Sequence, residues 1–210
     1  MRRPSSRSSI WGALLITNSL TTNSSHPKRV VVVTALIGAA LAVLLSGCAT
    51  SPAASAPTPV EAQMDYLMAH FDDRNVGQFG QLGGTDCVNF ASQGLLARGW
   101  TMNSEWWHSE ASGLHQYGRP WISSTALMSY LTAHPELARE VDPGEVVIGD
   151  LAQFDYKNTG KRNHTGTVSR IDGDEVFLVQ HSEDDAYKSV DALVESHGGT
   201  GTVHYWHLLE

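Results

Sequence analysis

Apolar residues recur at helical spacing in three stretches of the chain. In "PVEAQMDYLMAHF" they stand at positions 60, 64, 67, 68 and 71, which is the spacing of one helix face. A second helix is predicted to begin near Asp86, a preferred N-cap residue, and to end at Gly99, which suits the C′ position. Ser123 or Ser124 is predicted to cap a third helix through "TALMSYLTAH".

The pattern changes to short strand-like runs after "DPGEVVIGD". The predicted strands are "LAQFDY", "HTGTVSRI", "EVFLVQHS" and "TVHYWHL", with a short helix around "SVDALVESHGG" before the last one. The segment from Trp100 to Trp121 is predicted to be a loop. Helices first and a sheet afterwards predict an α+β fold, in which the N-terminal helices pack on an antiparallel sheet.

The N-terminal part of the chain has a different pattern. A basic flank, "HPKR", precedes the apolar run "VVVVTALIGAALAVLLSGC", which is the pattern of a secretory signal. The "LLSGC" ending resembles a bacterial lipobox, so we expect residues 1–47 to be a leader and lipoprotein signal peptide and Cys48 to be lipidated. An uncleaved membrane anchor is the alternative. In either case the rest of the chain is exported, either lipid-anchored on the outer face of the cytoplasmic membrane or secreted.

The remainder of the chain divides into a tether and one domain. The stretch "ATSPAASAPTPVEA" is rich in Ala, Ser and Pro, which predicts a tether over residues 48–59. Residues 60–210 are long enough for a single domain with its own core. We find no internal repeat, and we expect a monomer.

Charge is distributed unevenly along the chain. The net charge is −8, but five of the 14 Lys and Arg residues precede Cys48, whereas none of the 22 Asp and Glu residues do. The exported part therefore has nine basic and 22 acidic side chains. Such a surface repels polyanions, which makes nucleic acid a poor candidate partner.

Cys87 is a candidate nucleophile because it is an isolated thiol. The chain has two cysteines, and lipidation of Cys48 would leave Cys87 alone in an exported domain. Exported proteins usually keep cysteines in disulfide pairs, so a single one indicates a reactive thiol or intermolecular pairing. A thiol in the first turn of a helix meets the positive end of the helix dipole, which favours the thiolate, although Asp86 acts against it.

His164 is the candidate base, because it opens a strand directly after the polar loop "KNTGKRN". The "DG" at 172–173 predicts a two-residue type I′ hairpin in which Ile171 pairs with Asp174. This register places His181 opposite His164, where it could fix the tautomer of the base. A longer loop would instead place Ser182 or Glu183 there. Glu183 is therefore the alternative third residue, with Gln180 behind it.

Four segments carry a resemblance to a known family: "GGTDCVNFASQGLLARGW", "WISSTALMSYL", "GDLAQFDY" and "HTGTVSRIDGDEVFLVQHSED". They resemble the bacterial amidase-domain family, whose hallmark is a D-C-x-N-F-x-S-Q segment followed by a distant histidine strand. Their order and spacing are also similar to those of CHAP amidohydrolases and NlpC-type cell-wall peptidases. The resemblance covers most of residues 61–207 and implies a papain-like cysteine hydrolase fold.

The resemblance also implies roles for individual residues. Cys87 would be the nucleophile and His164 the base, with His181 as the third member. Gln81 stands six residues before the cysteine, as the oxyanion-hole glutamine does in papain-like proteases, and Asp86 and Asn89 would shape the site. The implied activity is cysteine-dependent hydrolysis of amide bonds outside the cell, in peptidoglycan or related peptides, with no cofactor and no metal.

Two other functions compete with this interpretation. The tryptophans at 100, 106, 107 and 121 could form an aromatic platform in a non-catalytic cell-wall-binding lipoprotein. A zinc site could be built from His181, His204 and His207. No HExxH or cysteine-pair motif supports zinc, and strand alternation sends the two histidines of "HYWH" to opposite faces.

Overall fold

The computed structural model describes residues 55–210, so the predicted leader, signal peptide and Cys48 lie outside the described residues. The described part combines helices with an antiparallel sheet, in agreement with the predicted α+β class. The helices are α1 (Pro59–His70), α2 (Val76–Phe79), α3 (Cys87–Arg98), α4 (Arg119–Ile122), α5 (Ser124–Ala133) and α6 (Val190–Ser196). The strands are β1 (His108–Ala111), β2 (Leu114–Tyr117), β3 (Ala138–Val141), β4 (Leu151–Asp155), β5 (His164–Asp172), β6 (Glu175–Gln180), β7 (Asp185–Ser189) and β8 (Thr202–Leu208).

The predicted helices form close to their predicted ends, but the expected capping role of Asp86 is wrong, because its side chain makes no capping hydrogen bond to α3 and contacts Arg74 and His181 instead. Helix α1 starts with a capping box between Thr58 and Glu61. In α5 the side chain of Ser123 accepts a hydrogen bond from the main chain of Ala126. Helix α3 ends at Gly99, whose φ of 110° is accessible to glycine at little cost. None of the helices described between residues 55 and 210 is long and apolar enough to cross a bilayer.

The segment predicted as a loop between Trp100 and Trp121 contains a hairpin, so that prediction is wrong in part. Strands β1 and β2 pair through the two-residue turn Ser112–Gly113, in which both residues have positive φ (57° and 78°). This is the geometry of a type I′ turn, which a Ser-Gly pair can adopt. The strands themselves lack apolar alternation because most of their side chains are exposed.

The main sheet has six strands in the order β3-β8-β4-β5-β6-β7, and all neighbours are antiparallel. Its two faces contribute to different cores. Leu151 packs with side chains of α3 and α5, whereas Ala152, the next residue, packs with side chains of α6. The helix that begins at Cys87 therefore lies on one face of the sheet and α6 lies on the other.

The tryptophans serve mainly to build the first of these cores. Trp106 and Trp121 are both 0% exposed, and their rings lie 4.6 Å apart. An aromatic platform for glycans needs exposed rings, so these two side chains are unavailable for that role.

The β5–β6 hairpin differs from the predicted register. Asp172 pairs with Glu175, so the turn is Gly173–Asp174 and not the predicted "DG". Ser169 is an extra residue in β5, and beyond it Val168 pairs with Leu178. Because side chains alternate along a strand, a shift of this kind changes which residues of β6 share a face with His164.

Candidate active site

A cleft of about 450 Å³ opens where α3, α5 and β5 begin. It is lined by the loop before α3, the first residues of α5, the loop before β5 and the segment that follows β6. Cys87, His164 and Gln180 all contribute to its wall. Two of the predicted site residues, Cys87 and His164, therefore meet in one cavity.

Cys87 is the first residue of α3 and is 7% exposed. Burial by itself raises the pKa of the thiol, but the hydrogen bond and positive charge of His164 act against burial. The Thr165 main chain and the Ser124 side chain add further hydrogen bonds, so that the pKa of Cys87 is lowered overall. The helix N-terminus acts in the same direction. These surroundings therefore favour the thiolate more than those of an ordinary cysteine do.

His164, the first residue of β5, lies between Cys87 and Gln180. Its Nε2 atom is 2.7 Å from Oε1 of Gln180, which leaves Nδ1 for the sulfur of Cys87. An amide oxygen only accepts hydrogen bonds, so Nε2 carries a proton. Burial lowers the pKa of His164, but the hydrogen bond and charge of Cys87, followed by the hydrogen bond of Gln180, raise it overall. The pair therefore favours thiolate and imidazolium.

His181 does not meet His164, and the predicted contact between them is wrong. The extra residue in β5 places Gln180 on the face of the sheet that carries His164, and His181 on the opposite face. There the ring of His181 stacks on Phe90, with ring centres 3.6 Å apart and planes 8° from parallel. Gln180 therefore occupies the position expected for the third member.

Both ring nitrogens of His181 face hydrogen-bond acceptors. Nδ1 is 2.7 Å from Oδ2 of Asp86, and Nε2 is 3.0 Å from the main-chain oxygen of His70. Both hydrogen bonds form together only when both nitrogens carry a proton. His181 is therefore a buried donor that joins α1, the start of α3 and the end of β6.

Asp86 and Asn89 belong to the same buried network. Besides His181, the Asp86 carboxylate accepts hydrogen bonds from Arg74, from the Leu82 main chain and from the Asn89 amide. Burial raises the pKa of Asp86, but the hydrogen bond from His181 and the others outweigh burial and lower it. The carboxylate that precedes Cys87 in the chain is thus engaged by Arg74 and His181.

Neither Gln81 nor Glu183 lies where its predicted role in the site requires. Gln81 is exposed and is not part of the cleft wall. Glu183 does line the cleft, but it is half exposed and its Oε2 is 2.9 Å from Nζ of Lys188. The hydrogen bond from Lys188 lowers the pKa of Glu183. Neither residue makes the contact that an oxyanion donor or an orienting residue requires.

A directed chain of hydrogen bonds ends on Ser124, at the start of α5. The indole of Trp206 can only donate, so Oε1 of Gln153 accepts from it at 3.1 Å. The Gln153 amide nitrogen then donates to the Thr165 hydroxyl, which donates to Ser124 Oγ at 2.9 Å. With its oxygen occupied in this way, Ser124 has its own proton available for Cys87.

Sequence reasoning missed this role of Ser124, which was expected only to cap a helix. It also ranked Gln180 behind His181 and Glu183. A useful signal was available for Gln180, since it is the one polar residue among the buried residues of β6. No sequence signal connects Ser124 with Cys87, because the two residues lie at the starts of different helices that are far apart in the sequence.

The three histidines of the candidate zinc site have separate partners. His181 contacts Asp86, His204 contacts Glu140, and His207 contacts Asp150. Within residues 55–210, no group of three or more His, Cys, Asp or Glu side chains is arranged to hold a metal ion.

One of the three comparisons with known proteins finds a match. Residues 59–205 match the family described as Putative amidase domain, and this range includes Cys87, His164 and Gln180. No curated protein and no solved structure matches the chain significantly. The family match spans more than half of the sequence. The chain therefore belongs to the Putative amidase domain family, and the description of this family indicates the hydrolysis of amide bonds in general.

Proposed function

We propose that this protein is a cysteine-dependent amide hydrolase whose catalytic residues are Cys87, His164 and Gln180. The observation that carries the proposal is that these three side chains line one cleft, where His164 donates a hydrogen bond to Gln180 and lowers the pKa of Cys87. A nucleophile, a base and a group that orients the base are the parts that thiol-based acyl transfer requires. Family membership supports the choice of an amide as the bond that is cleaved.

The proposed reaction begins with attack of the Cys87 thiolate on the carbonyl carbon of the amide. The main-chain N–H of Cys87, which has no acceptor within its own helix, is the candidate donor to the oxyanion. The His164 imidazolium then protonates the leaving amine, and the C–N bond breaks to give a thioester. Neutral His164 takes a proton from water, which attacks the thioester, and cleavage of the C–S bond releases the carboxylic acid and restores the thiolate and the imidazolium.

Gln180 has the role of holding the base in position. Its hydrogen bond to Nε2 aims Nδ1 of His164 at the sulfur, and a neutral amide leaves the imidazolium free to give up its proton. We therefore propose Gln180 in the role first expected of His181. The arrangement of a nucleophile helix packed on an antiparallel sheet supports the papain-like fold.

The proposed substrate is a peptide of the cell wall or a related peptide. The signal-like N-terminus and the lipobox ending at Cys48 support export and lipid anchoring outside the cytoplasmic membrane. The cleft is open and lined by both polar and apolar side chains, which suits a peptide. We propose that the protein acts there as a monomer.

The test is to compare cell-wall fragments by mass spectrometry after treatment with the unaltered protein and with Cys87→Ala. We expect the unaltered protein to release amide-cleavage products, and Cys87→Ala to release none while retaining its circular dichroism spectrum. Ser92→Ala, a buried change of similar size in the same helix, is the control for a general effect on α3. Full activity of Cys87→Ala would rule out the proposed mechanism.

A further inference from the structure

The cleft contains a buried cation that the proposed chemistry does not use. Arg162 lines the cleft wall, and its side chain is 8% exposed. Its Nε atom is buried and has no hydrogen-bond partner among residues 55–210. A buried guanidinium N–H without an acceptor is costly, and its geometry suits a carboxylate.

Asp155 forms an ion pair with this cation but no hydrogen bond to it. Its Oδ2 atom lies 4.0 Å from Nη1 of Arg162, which is beyond hydrogen-bond distance. The Asp155 carboxylate instead accepts hydrogen bonds from the main chains of Lys157 and Gly160, in the loop that follows β4. Arg162 therefore retains the capacity to form hydrogen bonds with a ligand.

The main chain of Arg162 is held firmly against α5. Its N–H donates to Oγ1 of Thr125 at 3.0 Å, and its carbonyl accepts from the same hydroxyl at 3.1 Å. Thr125 is next to Ser124, which contacts Cys87, and Arg162 is two residues from His164. The main chain that carries this cation is thus held close to the reacting groups, and the side chain lines the same cleft.

The surroundings of Arg162 favour an anion. Ser123 and Ser124, at the N-terminus of the ten-residue helix α5, line the same cleft, so the positive end of that helix dipole faces it. The acidic residue of the cleft wall, Glu183, is paired with Lys188. Arg162 is the one Lys or Arg among the described residues of the wall, although the domain as a whole is acidic.

We propose that Arg162 and the N-terminus of α5 bind a carboxylate of the substrate, so that the enzyme selects peptides with a carboxylate near the scissile amide. This inference deepens the proposed function and rests on it for the identity of the substrate as a peptide. The carboxylate belongs either to an acidic side chain or to the C-terminus of the peptide, and both have the same chemistry towards a guanidinium.

The test measures binding without turnover, in the full chain carrying Cys87→Ala. Three peptides differ in where they carry a carboxylate. Acetyl-Ala-Glu-Ala amide carries it on the side chain, and acetyl-Ala-Gln-Ala acid carries it at the C-terminus. Acetyl-Ala-Gln-Ala amide has no carboxylate. Each is titrated while the ¹H–¹⁵N spectrum is recorded, including the arginine Nε–H resonances. The Arg162 resonance is identified by its absence in Arg162→Gln.

We expect one of the two acidic peptides to bind about tenfold or more tightly than the neutral peptide and to shift the Nε–H resonance of Arg162. The advantage should disappear in Arg162→Gln. It should persist in Arg139→Gln, which removes the same charge from an exposed residue of β3. Arg162→Lys should recover only part of it, because lysine keeps the charge and loses the planar fork.

Equal binding of the three peptides, no binding of any, or an advantage that survives in Arg162→Gln would overturn the inference. Because none of these measurements requires hydrolysis, they are distinct from a failure of the proposed function. That failure would be the absence of amide cleavage by the unaltered protein.

Discussion

The pKa of Cys87 is lowered by groups that belong to two different elements. His164 and the Thr165 main chain belong to β5, and Ser124 belongs to α5. These donors act against the effect of burial, which alone would favour the neutral thiol. The reactivity of the thiol therefore depends on how the two elements are placed, and single substitutions should separate their contributions.

The pH dependence of the reaction follows from the two shifted groups. The pKa of Cys87 is lowered from 9.0 and that of His164 is raised from 6.5. The thiolate–imidazolium pair therefore forms as pH rises through the pKa of Cys87 and is lost as pH rises through the pKa of His164. We expect kcat/KM for amide hydrolysis to follow a bell-shaped curve between these limits.

His164→Ala tests the acidic side of this curve through the rate at which iodoacetamide alkylates Cys87. Loss of the imidazolium should raise the pKa of Cys87 and slow alkylation at neutral pH by about tenfold or more. His197→Ala, which alters another histidine of the cleft wall, should change the rate little. Equal rates for the unaltered protein and His164→Ala would contradict the ion pair.

Ser124→Ala removes the last donor of the hydrogen-bond chain. We expect the pKa of Cys87 to rise and the alkylation rate below that pKa to fall by roughly tenfold, because a hydrogen bond to a charged group is lost. The control is Ser129→Ala, the same change in an exposed part of α5. An unchanged pH profile of alkylation would mean that Ser124 does not donate to the sulfur.

At the scale of elements, the pair formed by Asp86 and His181 joins helix α3 to strand β6. Asp86 precedes Cys87 and His181 follows Gln180, so the pair links the chain neighbours of two site residues. Both side chains are 1% exposed. We therefore expect the pair of Asp86 and His181 to stabilise the fold and to fix the distance between α3 and β6.

His181→Ala should lower the free energy of unfolding by about 3 kcal/mol, since it leaves the buried Asp86 carboxylate without one of its donors. Urea denaturation measures the change. His204→Ala removes a histidine–carboxylate pair at the surface, with Glu140 half exposed, and should cost about 0.5 kcal/mol or less. Unchanged stability combined with lost activity would instead favour the catalytic role first expected of His181.

The elements that consist of apolar runs or begin and end at recognisable residues could be predicted from the sequence, because burial of these elements requires apolar side chains. Helices α1, α3 and α5 and strands β4, β5, β6 and β8 belong to this group. The edge strands β3 and β7 could not, because main-chain pairing holds them to the sheet while most of their side chains remain at least partly exposed.

The candidate site was predictable to a similar extent. Cys87 and His164 stand at the starts of elements, where sequence patterns are informative. The choice between Gln180 and His181 depends on the hairpin register, and Ser169 carries no signal of being an extra residue. Arg162 lies in a polar loop, where its burial arises only from contacts with distant parts of the chain.

At the scale of the whole molecule, we propose that the N-terminal segment determines where the hydrolase acts. Cys48→Ala should move the protein from the membrane fraction to the soluble fraction, because the lipid has no other predicted attachment residue. Cell fractionation measures this, and Cys87→Ala should remain with the membrane as the matched cysteine control. Retention of Cys48→Ala in the membrane fraction would favour the uncleaved anchor.

The extra residue in β5 limits how the length of this hairpin can vary. If the pairing that starts with Asp172 and Glu175 continued along β5 without the bulge at Ser169, His164 would pair with Glu183. The side chain of His181 would then lie on the same face of the sheet as His164. Insertion or loss of one residue between His164 and Val168 would likewise exchange the neighbours of the base. Insertion or loss of one residue in the turn, with the residue pairs on either side of the turn kept, would leave the neighbours of the base unchanged. Length differences among related chains should therefore be concentrated in the turn.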